Sequence, residues 1–555
     1  MLLRGLMMDR PLLTTTILEH AAKYHGRSTI VSRFAAEAPH EYTYADAWKR
    51  TQQLANVLVR LGVKPGDRIG TIAWNDHRHF ELYYGIPGIG AVCHTINPRL
   101  FPEQIIYIVN HAADRWLFVD PMFLPLVEKL WPHFKGVQGV VVMTRPELMP
   151  QNSSLPTLLC YETLMERETQ SFNWPSFDEN TAAGLCYTSG TTGNPKGVLY
   201  SHRSNVLHSF AFHAIPGMGL SSTDTALVVV PLFHANGWGY AYSAPMIGAK
   251  MVMPGPKLDG KSIYEMIEDQ GVTMSSGVPT VWLGLLAHLR ATGARFTRLR
   301  ALTVGGSAMP LAMLQEFEKV HGVKLLQGWG MTEMSPIGTV GSLTPEQEGL
   351  PIDAQHEIKL KAGRAIFGVE MKVVGADGTE QPRDGKSSGE LVVRGPWITA
   401  GYYNDQEATA SAFTADGWFR TGDVATIDDQ GFMAIVDRAK DVIKSGGEWI
   451  SSIDLENAAI GHPAVQEAAV IGVPHPKWQE RPLLVVVPRQ GQTVEKADLL
   501  AFLGDRVAKW WLPDDVVVVD QLPHTATGKI LKSALRKQYA DYRLPETGPN
   551  GVAAE

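Results

Sequence analysis

The stretch 188–197, TSGTTGNPKG, constrains this chain more than any other part of its sequence. Its three glycines let the backbone approach an anion without an intervening Cβ atom, so consecutive N–H groups can converge on phosphate oxygens. Four hydroxyls and Lys196 add donors and a positive charge. A flexible linker of small residues is the alternative, but a linker has no need of the fixed ending Pro-Lys-Gly. We therefore predict a polyphosphate-binding loop that follows the short apolar strand 182–187. The predicted phosphate-binding residues are Thr188, Ser189, Gly190, Thr191, Thr192, Gly193 and Lys196.

A second glycine-rich segment, 255–262, formally matches the P-loop pattern of nucleoside triphosphatases. Two of its residues disagree with that function. Pro256 lacks the N–H that a phosphate cradle needs, and Asp259 places a carboxylate where phosphate would sit. We predict that Asp259 and Ser262 begin an ordinary helix, which makes a P-loop triphosphatase centred on Lys261 the weaker interpretation.

Composition narrows the class of protein. A chain of 555 residues is too long for one hydrophobic core, so several domains are expected. The net charge of −7 argues against a nucleic-acid or membrane-surface partner. Apolar runs stay short of the roughly 18 residues of a membrane span, so we expect no integral membrane segment. Three cysteines without metal-binding spacing indicate a reducing, cytoplasmic setting.

The order of elements predicts the fold class. Helical and strand-like segments alternate from about Leu13 to Val304, which is typical of α/β domains with mostly parallel sheets. After Gly363, short strands such as 418–421 joined by Gly/Asp turns predict a β-rich subdomain. We expect a large N-terminal domain (1–436) of α/β subdomains plus this β-rich subdomain, a hinge (437–441), and a small mobile α/β C-terminal domain (442–555).

Two further motifs carry groups suited to a nucleotide. In 327–333, QGWGMTE, Trp329 can lie against a flat ligand, Thr332 suits phosphate and Glu333 suits Mg²⁺. A buried tryptophan in a glycine-rich turn is the alternative for Trp329 alone. In 418–423, WFRTGD, the turn is expected to end just before Asp423, whose carboxylate can accept hydrogen bonds from both hydroxyls of a ribose.

The remaining motifs are weak when taken singly. The glycine loop 444–449, KSGGEW, follows the expected hinge. Near the C-terminus, 522–529 reads LPHTATGK, and Lys529 alone would be assigned as a solvated surface charge.

In this order the motifs resemble the adenylate-forming superfamily of acyl-CoA synthetases, peptide-synthetase adenylation domains and beetle luciferases. The resemblance covers roughly Leu12 to Tyr542. The segments 93–101, CHTINPRLF, and 444–452, KSGGEWISS, are most similar to bacterial medium-chain fatty-acid–CoA ligases and 3-methylmercaptopropionyl-CoA ligases.

The resemblance implies a two-step reaction. A carboxylate and ATP with Mg²⁺ give acyl-AMP and pyrophosphate, and CoA then gives acyl-CoA and AMP. Donors at the developing phosphate charge are the main catalytic requirement. The implied catalytic residues are Lys529, His234 and Glu333, and the implied metal ligands are Thr188 and Glu333. The implied ATP-binding residues are those of the phosphate loop together with Gln327, Gly328, Trp329, Gly330, Met331, Thr332, Asp423, Arg438 and Lys529.

The resemblance also implies sites for the acid and for CoA. The implied acyl pocket comprises His234, Trp238, Gly305, Gly306, Ser307 and Gly330. The implied CoA-binding residues are Lys440, Lys444, Ser445, Gly446, Gly447, Glu448 and Trp449, and Lys440 is the implied pivot between the two half-reactions.

Gly330 stands where acetate-specific relatives carry a bulky aromatic side chain, which favours a longer acid. A tryptophan at Gly330 is accordingly expected to fill the pocket. Ser307 places a hydroxyl where the family has alanine, so the polarity of the pocket stays open.

The acid itself stays open between a medium-chain fatty acid, which we favour, and 3-methylmercaptopropionate. An adenylation enzyme that loads a carrier protein is disfavoured by the KSGGEW loop and by the lack of a carrier domain. A catalytically inactive binding homologue is disfavoured because the expected polar residues are present. The relatives suggest a homodimer as one candidate assembly.

Overall fold

The structure is a computed structural model that describes residues 2–3, 5–188, 194–438, 440–445, 448–524 and 530–545. Through residue 330 its helices are α1 Thr15–Tyr24, α2 Tyr44–Arg60, α3 His77–Gly88, α4 Pro102–Ala112, α5 Leu124–Leu130, α6 Tyr161–Met165, α7 His202–His213, α8 Ala235–Trp238, α9 Tyr240–Ile247, α10 Gly260–Gln270, α11 Pro279–Thr292 and α12 Leu311–Lys319. Over the same part its strands are β1 Thr29–Ser32, β2 His40–Thr43, β3 Arg68–Ile72, β4 Val92–Thr95, β5 Asp114–Val119, β6 Gly139–Val142, β7 Leu158–Cys160, β8 Ala182–Tyr187, β9 Gly197–Ser201, β10 Thr225–Leu227, β11 Lys250–Met253, β12 Met274–Gly277, β13 Ala301–Val304 and β14 Lys324–Gly330.

The later helices are α13 Pro345–Glu348, α14 Ile352–Lys359, α15 Gln406–Ser411, α16 Ser452–Ile460, α17 Lys496–Gly504 and α18 Lys532–Gln538. The later strands are β15 Ile337–Val340, β16 Arg364–Ala365, β17 Glu370–Val374, β18 Gly389–Arg394, β19 Phe419–Ile427, β20 Met433–Arg438, β21 Ile443–Ser445, β22 Glu448–Ile450, β23 Val465–His475, β24 Gln479–Pro488 and β25 Asp515–Val518.

Local sequence signals set many of these bounds. Helix α2 begins where the Thr43 hydroxyl accepts the Asp46 N–H at 3.2 Å and the Asp46 carboxylate reaches back to Thr43, a reciprocal capping box. It ends just before Gly62, whose φ of 77° is readily adopted only by glycine. Between these ends, an apolar face that includes Leu54 and Leu58 is fully buried, so the helix is held by packing as well as by its caps.

Two largely parallel sheets form the N-terminal part. The first has the strand order β7-β6-β5-β3-β4-β8-β9, parallel except at the β8–β9 edge. The second has the order β16-β15-β14-β13-β12-β10-β11-β1-β2, parallel from β14 to β1 and antiparallel at both ends. One apolar cluster joins both sheets, with Phe118 from the first and Met251 from the second. The predicted α/β character is confirmed.

The rest of the chain forms two smaller sheets. Strands β17 to β20 make an antiparallel sheet whose residues Leu391 and Phe419 extend the same large core. Strands β21 to β25 form a separate sheet, packed by α16, α17 and α18 around apolar clusters built from residue 443 onward. The expected large N-terminal domain and smaller C-terminal domain are thus confirmed as a fold class.

The expected short strand and turn before Asp423 are wrong. Strand β19 runs without interruption from Phe419 to Ile427, and Asp423 lies within it, opposite Arg438 of β20. Gly422 adopts a φ of 72° inside the strand, where the register with β18 shifts. A glycine bulge absorbs extra residues in a continuous strand, whereas the sequence alone suggested a strand end at this glycine.

Candidate active site

A cavity of about 980 Å³ opens between the N-terminal sheets and the C-terminal domain. It gathers residues that lie far apart in the sequence and includes most of the predicted site within the described ranges. The predicted site residues that line it are Thr188, Lys196, His234, Trp238, Gly305, Gly306, Ser307, Gly328, Trp329, Gly330, Met331, Thr332, Glu333, Arg438 and Lys440.

The other predicted residues divide into two sets. Gln327, Asp423, Lys444 and Ser445 are described but do not line the cavity. Ser189, Gly190, Thr191, Thr192, Gly193, Gly446, Gly447 and Lys529 lie outside the described residues, as do the side chains of Glu448 and Trp449.

The predicted phosphate loop connects the two strands of an antiparallel hairpin, β8 and β9. The strand expected at 182–187 is observed with those bounds. At the neck of the loop, the Thr188 N–H donates to the Lys196 carbonyl at 2.9 Å, and the Lys196 N–H lies 3.3 Å from the Thr188 hydroxyl oxygen. The Lys196 Nζ atom lies 4.9 Å from the centroid of the Tyr402 ring, within range of a cation–π interaction. The lysine therefore lies at the cavity with its ammonium group over an aromatic face.

Asp423 holds two residues that border the cavity. The indole Nε1–H of Trp329 donates to Asp423 Oδ2 at 2.9 Å, and Arg438 Nε lies 2.7 Å from Asp423 Oδ1. Asp423 itself is only 2% exposed. Because each carboxylate oxygen has a second lone pair, further hydrogen bonds are still open to it. Asp423 thus fixes the ring edge of Trp329 and the guanidinium of Arg438 in one arrangement.

Glu333 is a buried carboxylate at the wall of the cavity. The Tyr402 hydroxyl donates to Glu333 Oε1 at 2.8 Å, and the Tyr200 hydroxyl donates to the neighbouring Thr332 carbonyl at 2.7 Å. Burial raises the pKa of Glu333, while the Tyr402 hydrogen bond and the charges of Arg438 and Lys196 act in the opposite direction. The carboxylate is therefore held by a neutral donor in a setting where a cation would stabilise it.

The donor set suits Mg²⁺ that arrives with a nucleotide. Within the described ranges, we find no cluster of three or more histidine, cysteine, aspartate or glutamate side chains able to hold a metal by itself. Mg²⁺ commonly uses one or two protein carboxylates and completes its shell with water and substrate phosphates. One buried carboxylate at Glu333 and one hydroxyl at Thr188 fit that pattern.

The part of the cavity wall formed by His234 and Trp238 is built on an unusual turn. Residues 235–239 all have positive φ, including Ala235 at 43°, Asn236 at 59° and Trp238 at 54°, so α8 is a left-handed turn. Non-glycine residues adopt such φ values at a cost of order 1 kcal/mol each and do so mainly at functional sites. A Cβ on Gly305 would lie 2.9 Å from the Trp238 ring, so that ring needs a glycine beside it.

Gly330 borders the cavity, but a side chain there would not enter it. A Cβ on Gly330 would lie 2.0 Å from the Pro336 carbonyl oxygen, which accepts the Met331 N–H at 3.0 Å. Heavy atoms cannot approach so closely, so the backbone would have to move. The expectation that tryptophan at Gly330 simply fills the pocket is therefore wrong.

Gln327 and His208 support the site from within the protein. The Gln327 amide donates to the Ser307 carbonyl at 3.2 Å and so holds the segment 305–307 against β14. His208 accepts the Ile337 N–H through Nε2 at 3.2 Å, and burial lowers its pKa to about 3. His208 is thus a neutral acceptor that fixes the start of β15.

The C-terminal wall of the cavity is an ion-pair network that sequence reasoning missed. Lys532 Nζ lies 2.7 Å from Glu456 Oε1, and Arg536 pairs with Asp441. These contacts tie α18 to α16 and to the turn that follows β20. Within β20, Asp437 accepts the Ser452 N–H at 2.8 Å. A basic helix near a chain terminus is a common surface feature, so the sequence carried no signal for this network or for Tyr402.

The formal P-loop match is an ordinary helix start, as predicted. Asp259 caps α10 by accepting the Ser262 N–H at 3.0 Å and the Ser262 hydroxyl at 2.7 Å. Lys261 is largely exposed and lies 3.8 Å from Glu265 on the same helix.

Comparison with known protein families identifies the family of this chain. Residues 18–403 match the family described as AMP-binding enzyme, and residues 454–529 match the AMP-binding enzyme C-terminal domain. The chain belongs to the AMP-binding enzyme family. In this AMP-binding enzyme, Trp329 and Arg438 line the cavity, and Asp423 holds both of them from behind.

Individual relatives indicate which reaction within the family this chain catalyses. The 3-methylmercaptopropionyl-CoA ligase of Ruegeria lacuscaerulensis is 49% identical over 97% of this chain and 99% of its own length. The medium-chain-fatty-acid–CoA ligase of Ectopseudomonas oleovorans is 46% identical over 97% of this chain and 98% of its own length. The AMP-binding enzyme described above is an acid–CoA ligase, an AMP-forming acyl-CoA synthetase.

A solved structure agrees in fold. The crystal structure of the anthranilate CoA ligase AuaEII in complex with anthranoyl-AMP superposes with a TM-score of 0.85 at 25% identity. The match covers 96% of this chain and 98% of that protein. Within the described part of this AMP-binding enzyme, no helix is both long and apolar enough to cross a bilayer.

Proposed function

We propose that this ligase activates a medium-chain fatty acid. The acid and MgATP give acyl-AMP and pyrophosphate, and the CoA thiol then displaces AMP to give acyl-CoA. The observation that carries the proposal is the make-up of the cavity. The cavity combines charged groups, among them Lys196, Glu333 and Arg438, with apolar side chains that include Met218, Trp238, Ile337 and Val340.

Residue roles follow from the chemistry of the donors. The loop that ends at Lys196 binds the β- and γ-phosphates, Trp329 stacks on adenine, and Asp423 accepts hydrogen bonds from the ribose. Glu333 and Thr188 hold Mg²⁺, which neutralises phosphate charge when it is bound. Lys529 supplies the positive charge that the attacking carboxylate and the α-phosphate share. His234 and Trp238 border the acyl chain, together with Gly305, Gly306, Ser307 and Gly330.

The domain arrangement belongs to the same proposal. We assign residues 1–436 to the adenylation domain, 437–441 to a hinge and 442–555 to a C-terminal domain that swings between the half-reactions. Lys440 and the segment 444–449 serve CoA. A reducing cytoplasmic setting fits the three cysteines, which are free and buried. A homodimer is one candidate assembly.

A second acid has specific support. Two Ruegeria relatives at 49% identity are 3-methylmercaptopropionyl-CoA ligases. A thioether packs much like a methylene group in an apolar site, so the apolar lining is compatible with both acids. The two candidates need a direct measurement.

A panel of straight-chain acids from acetate to dodecanoate, with ATP and CoA, tests the proposal. Each buried methylene contributes about 0.8 kcal/mol, so kcat/KM should rise roughly fourfold per carbon until the pocket is full. We expect the maximum at hexanoate to decanoate. A maximum at acetate or propionate would contradict a medium-chain substrate.

Pentanoate is the matched control for 3-methylthiopropionate, because both chains have the same number of heavy atoms. Similar kcat/KM for the two acids, with octanoate higher, supports the fatty-acid proposal. A preference of tenfold or more for the thioether, with a decline beyond pentanoate, supports the second candidate.

A further inference from the structure

We propose that Tyr402 is a positioning residue that aligns the carboxylate of Glu333 and the ammonium of Lys196 for one MgATP. This inference rests on the proposed roles of Glu333 and Lys196. Tyr402 belongs to none of the motifs that define the site, and it lies 69 residues from Glu333 in the chain.

Tyr402 contacts the two groups through different parts of its side chain. Its hydroxyl donates to Glu333 Oε1 at 2.8 Å, and its ring lies under Lys196, with Nζ 4.9 Å from the centroid. The hydroxyl is thus a neutral donor to the metal-binding carboxylate, and the ring is a platform for the phosphate-binding lysine. A single side chain sets the spacing between an anion and a cation that must engage the same triphosphate.

The backbone around Tyr402 is anchored to the same two segments. The Thr399 N–H donates to the Glu333 carbonyl at 2.8 Å, and the Tyr403 N–H donates to the Gly197 carbonyl at 2.8 Å. The Tyr402 N–H is bonded to Thr409 Oγ1 at 2.9 Å, which fixes the segment to α15. Residues 399–403 therefore brace the phosphate loop and the Glu333 turn from one side.

The Tyr402 hydroxyl should affect the orientation of the Glu333 carboxylate more than its charge. Mg²⁺ requires near-ideal octahedral coordination, and a carboxylate free to rotate loses the orientation that this demands. Hydrogen bonds to ligating groups are typically worth 10- to 100-fold in metal affinity. Loss of the Tyr402 hydroxyl should therefore weaken the metal before it weakens the nucleotide.

Two variants separate the hydroxyl from the ring. Tyr402→Phe keeps the platform for Lys196 and removes the donor to Glu333. Tyr402→Leu removes both. Tyr403→Phe is the matched control. It also removes a tyrosine hydroxyl, but the ring of Tyr403 packs against His111.

The measurements are ATP binding by calorimetry in EDTA and Mn²⁺ binding by electron paramagnetic resonance with a non-hydrolysable ATP analogue. We expect Tyr402→Phe to raise the Mn²⁺ dissociation constant 10- to 100-fold and to leave ATP binding in EDTA within twofold of wild type. Tyr402→Leu should weaken ATP binding in EDTA by a further two- to fivefold, since a cation–π contact is lost. Tyr403→Phe should match wild type in both.

Glu333→Gln separates failure of the positioning role of Tyr402 from failure of the proposed metal site. If Glu333→Gln weakens Mn²⁺ binding and Tyr402→Phe, folded with an unchanged melting temperature, does not, the positioning role is overturned while the proposed function stands. If Glu333→Gln itself leaves Mn²⁺ binding unchanged, the proposed metal site is wrong. Should Tyr402→Leu fail to fold, Tyr402→Phe alone decides the result.

Discussion

At the scale of single residues, lining a cavity and pointing into it are different properties. Gly330 lines the cavity, yet its Cβ direction is occupied by the Pro336 carbonyl oxygen, 2.0 Å away. Gly305 meets the Trp238 ring instead. These two small residues are thus needed for packing at the cavity wall.

Gly330→Ala is expected to destabilise the protein and not to shorten its preferred acid. Overpacking against backbone costs about 1–3 kcal/mol, which lowers the melting temperature of a domain of this size by about 1–3 °C. Gly504→Ala is the control, because a Cβ there meets open space without a positive φ. A stable Gly330→Ala variant whose kcat/KM shifts toward acetate would show that the side chain does enter the pocket.

We expect opposite effects from mutating the lysines of the two glycine-rich segments, 188–197 and 255–262. Lys196 lies at the cavity over Tyr402, whereas Lys261 is an exposed helix residue beside Glu265. Lys196→Ala should raise the KM for ATP or lower kcat by at least tenfold, since a donor to the phosphates is lost. Lys261→Ala should stay within twofold of wild type in a pyrophosphate-release assay. Dependence on Lys261 in place of Lys196 would reject the proposed nucleotide site.

At the scale of secondary-structure elements, the sequence predicts features set by neighbouring residues but not those set by contacts between distant residues. Strand β8 was predictable because an apolar run stops at a glycine loop, and the start of α10 because Asp259 precedes Ser262 by three positions. Strand β19 was misjudged because Gly422 resembles a strand end when its partner strands are unknown. Tyr402 could not have been found, because the residues it contacts are remote in the chain.

The resemblance to a known family predicted which distant residues come together, and local sequence patterns do not contain that information. The cavity brings together Thr188, His234, Trp329 and Arg438, as that resemblance implied. Neither source predicted the network of Lys532 and Arg536, since side-chain pairing between helices depends on three-dimensional packing that no short motif encodes.

Helix α3 offers a pH-dependent test of packing. Its N-cap, Asp76, accepts the His79 N–H at 2.8 Å, and burial raises the pKa of Asp76 to about 7. The unfolded chain has a value near 3.9. Between these values the native state holds a proton that the unfolded state lacks, so this group makes the protein less stable as pH rises toward 7.

Asp76→Asn keeps an acceptor for the cap and removes the titration. Wild type should gain about 3 kcal/mol more unfolding free energy than the variant on going from pH 8 to pH 5. Urea unfolding of both proteins at the two pH values measures this difference. A buried carboxyl that does not interact with Asp76, such as Asp114, titrates in both proteins and cancels. Parallel pH profiles would show that Asp76 is ionised throughout.

At the scale of the whole molecule, the C-terminal domain closes one side of the cavity. His524 and Ile530 line it and flank the segment that contains Lys529. The connection to the N-terminal domain passes through a tight turn, in which the Asp441 and Val442 N–H groups donate to the Arg438 carbonyl at 2.8 and 2.9 Å. The ion pair of Arg536 with Asp441 holds the last helix to this turn. We infer that this arrangement corresponds to the proposed adenylation step.

A rigid hinge should therefore spare adenylation and impair CoA transfer. Proline fixes φ near −65°, so Lys440→Pro restricts rotation within the turn, whereas Lys440→Ala removes the charge and leaves the backbone free. We expect Lys440→Pro to retain most pyrophosphate release in the absence of CoA. Its rate of acyl-CoA formation from synthetic acyl-AMP should fall at least tenfold below that of Lys440→Ala. Lys529→Ala should give the mirror image, losing acyl-AMP formation and keeping the thioester step. Undiminished thioester formation by a folded Lys440→Pro variant would place the pivot elsewhere, and equal loss in Lys440→Ala would mean that the charge of Lys440 matters and not its backbone rotation.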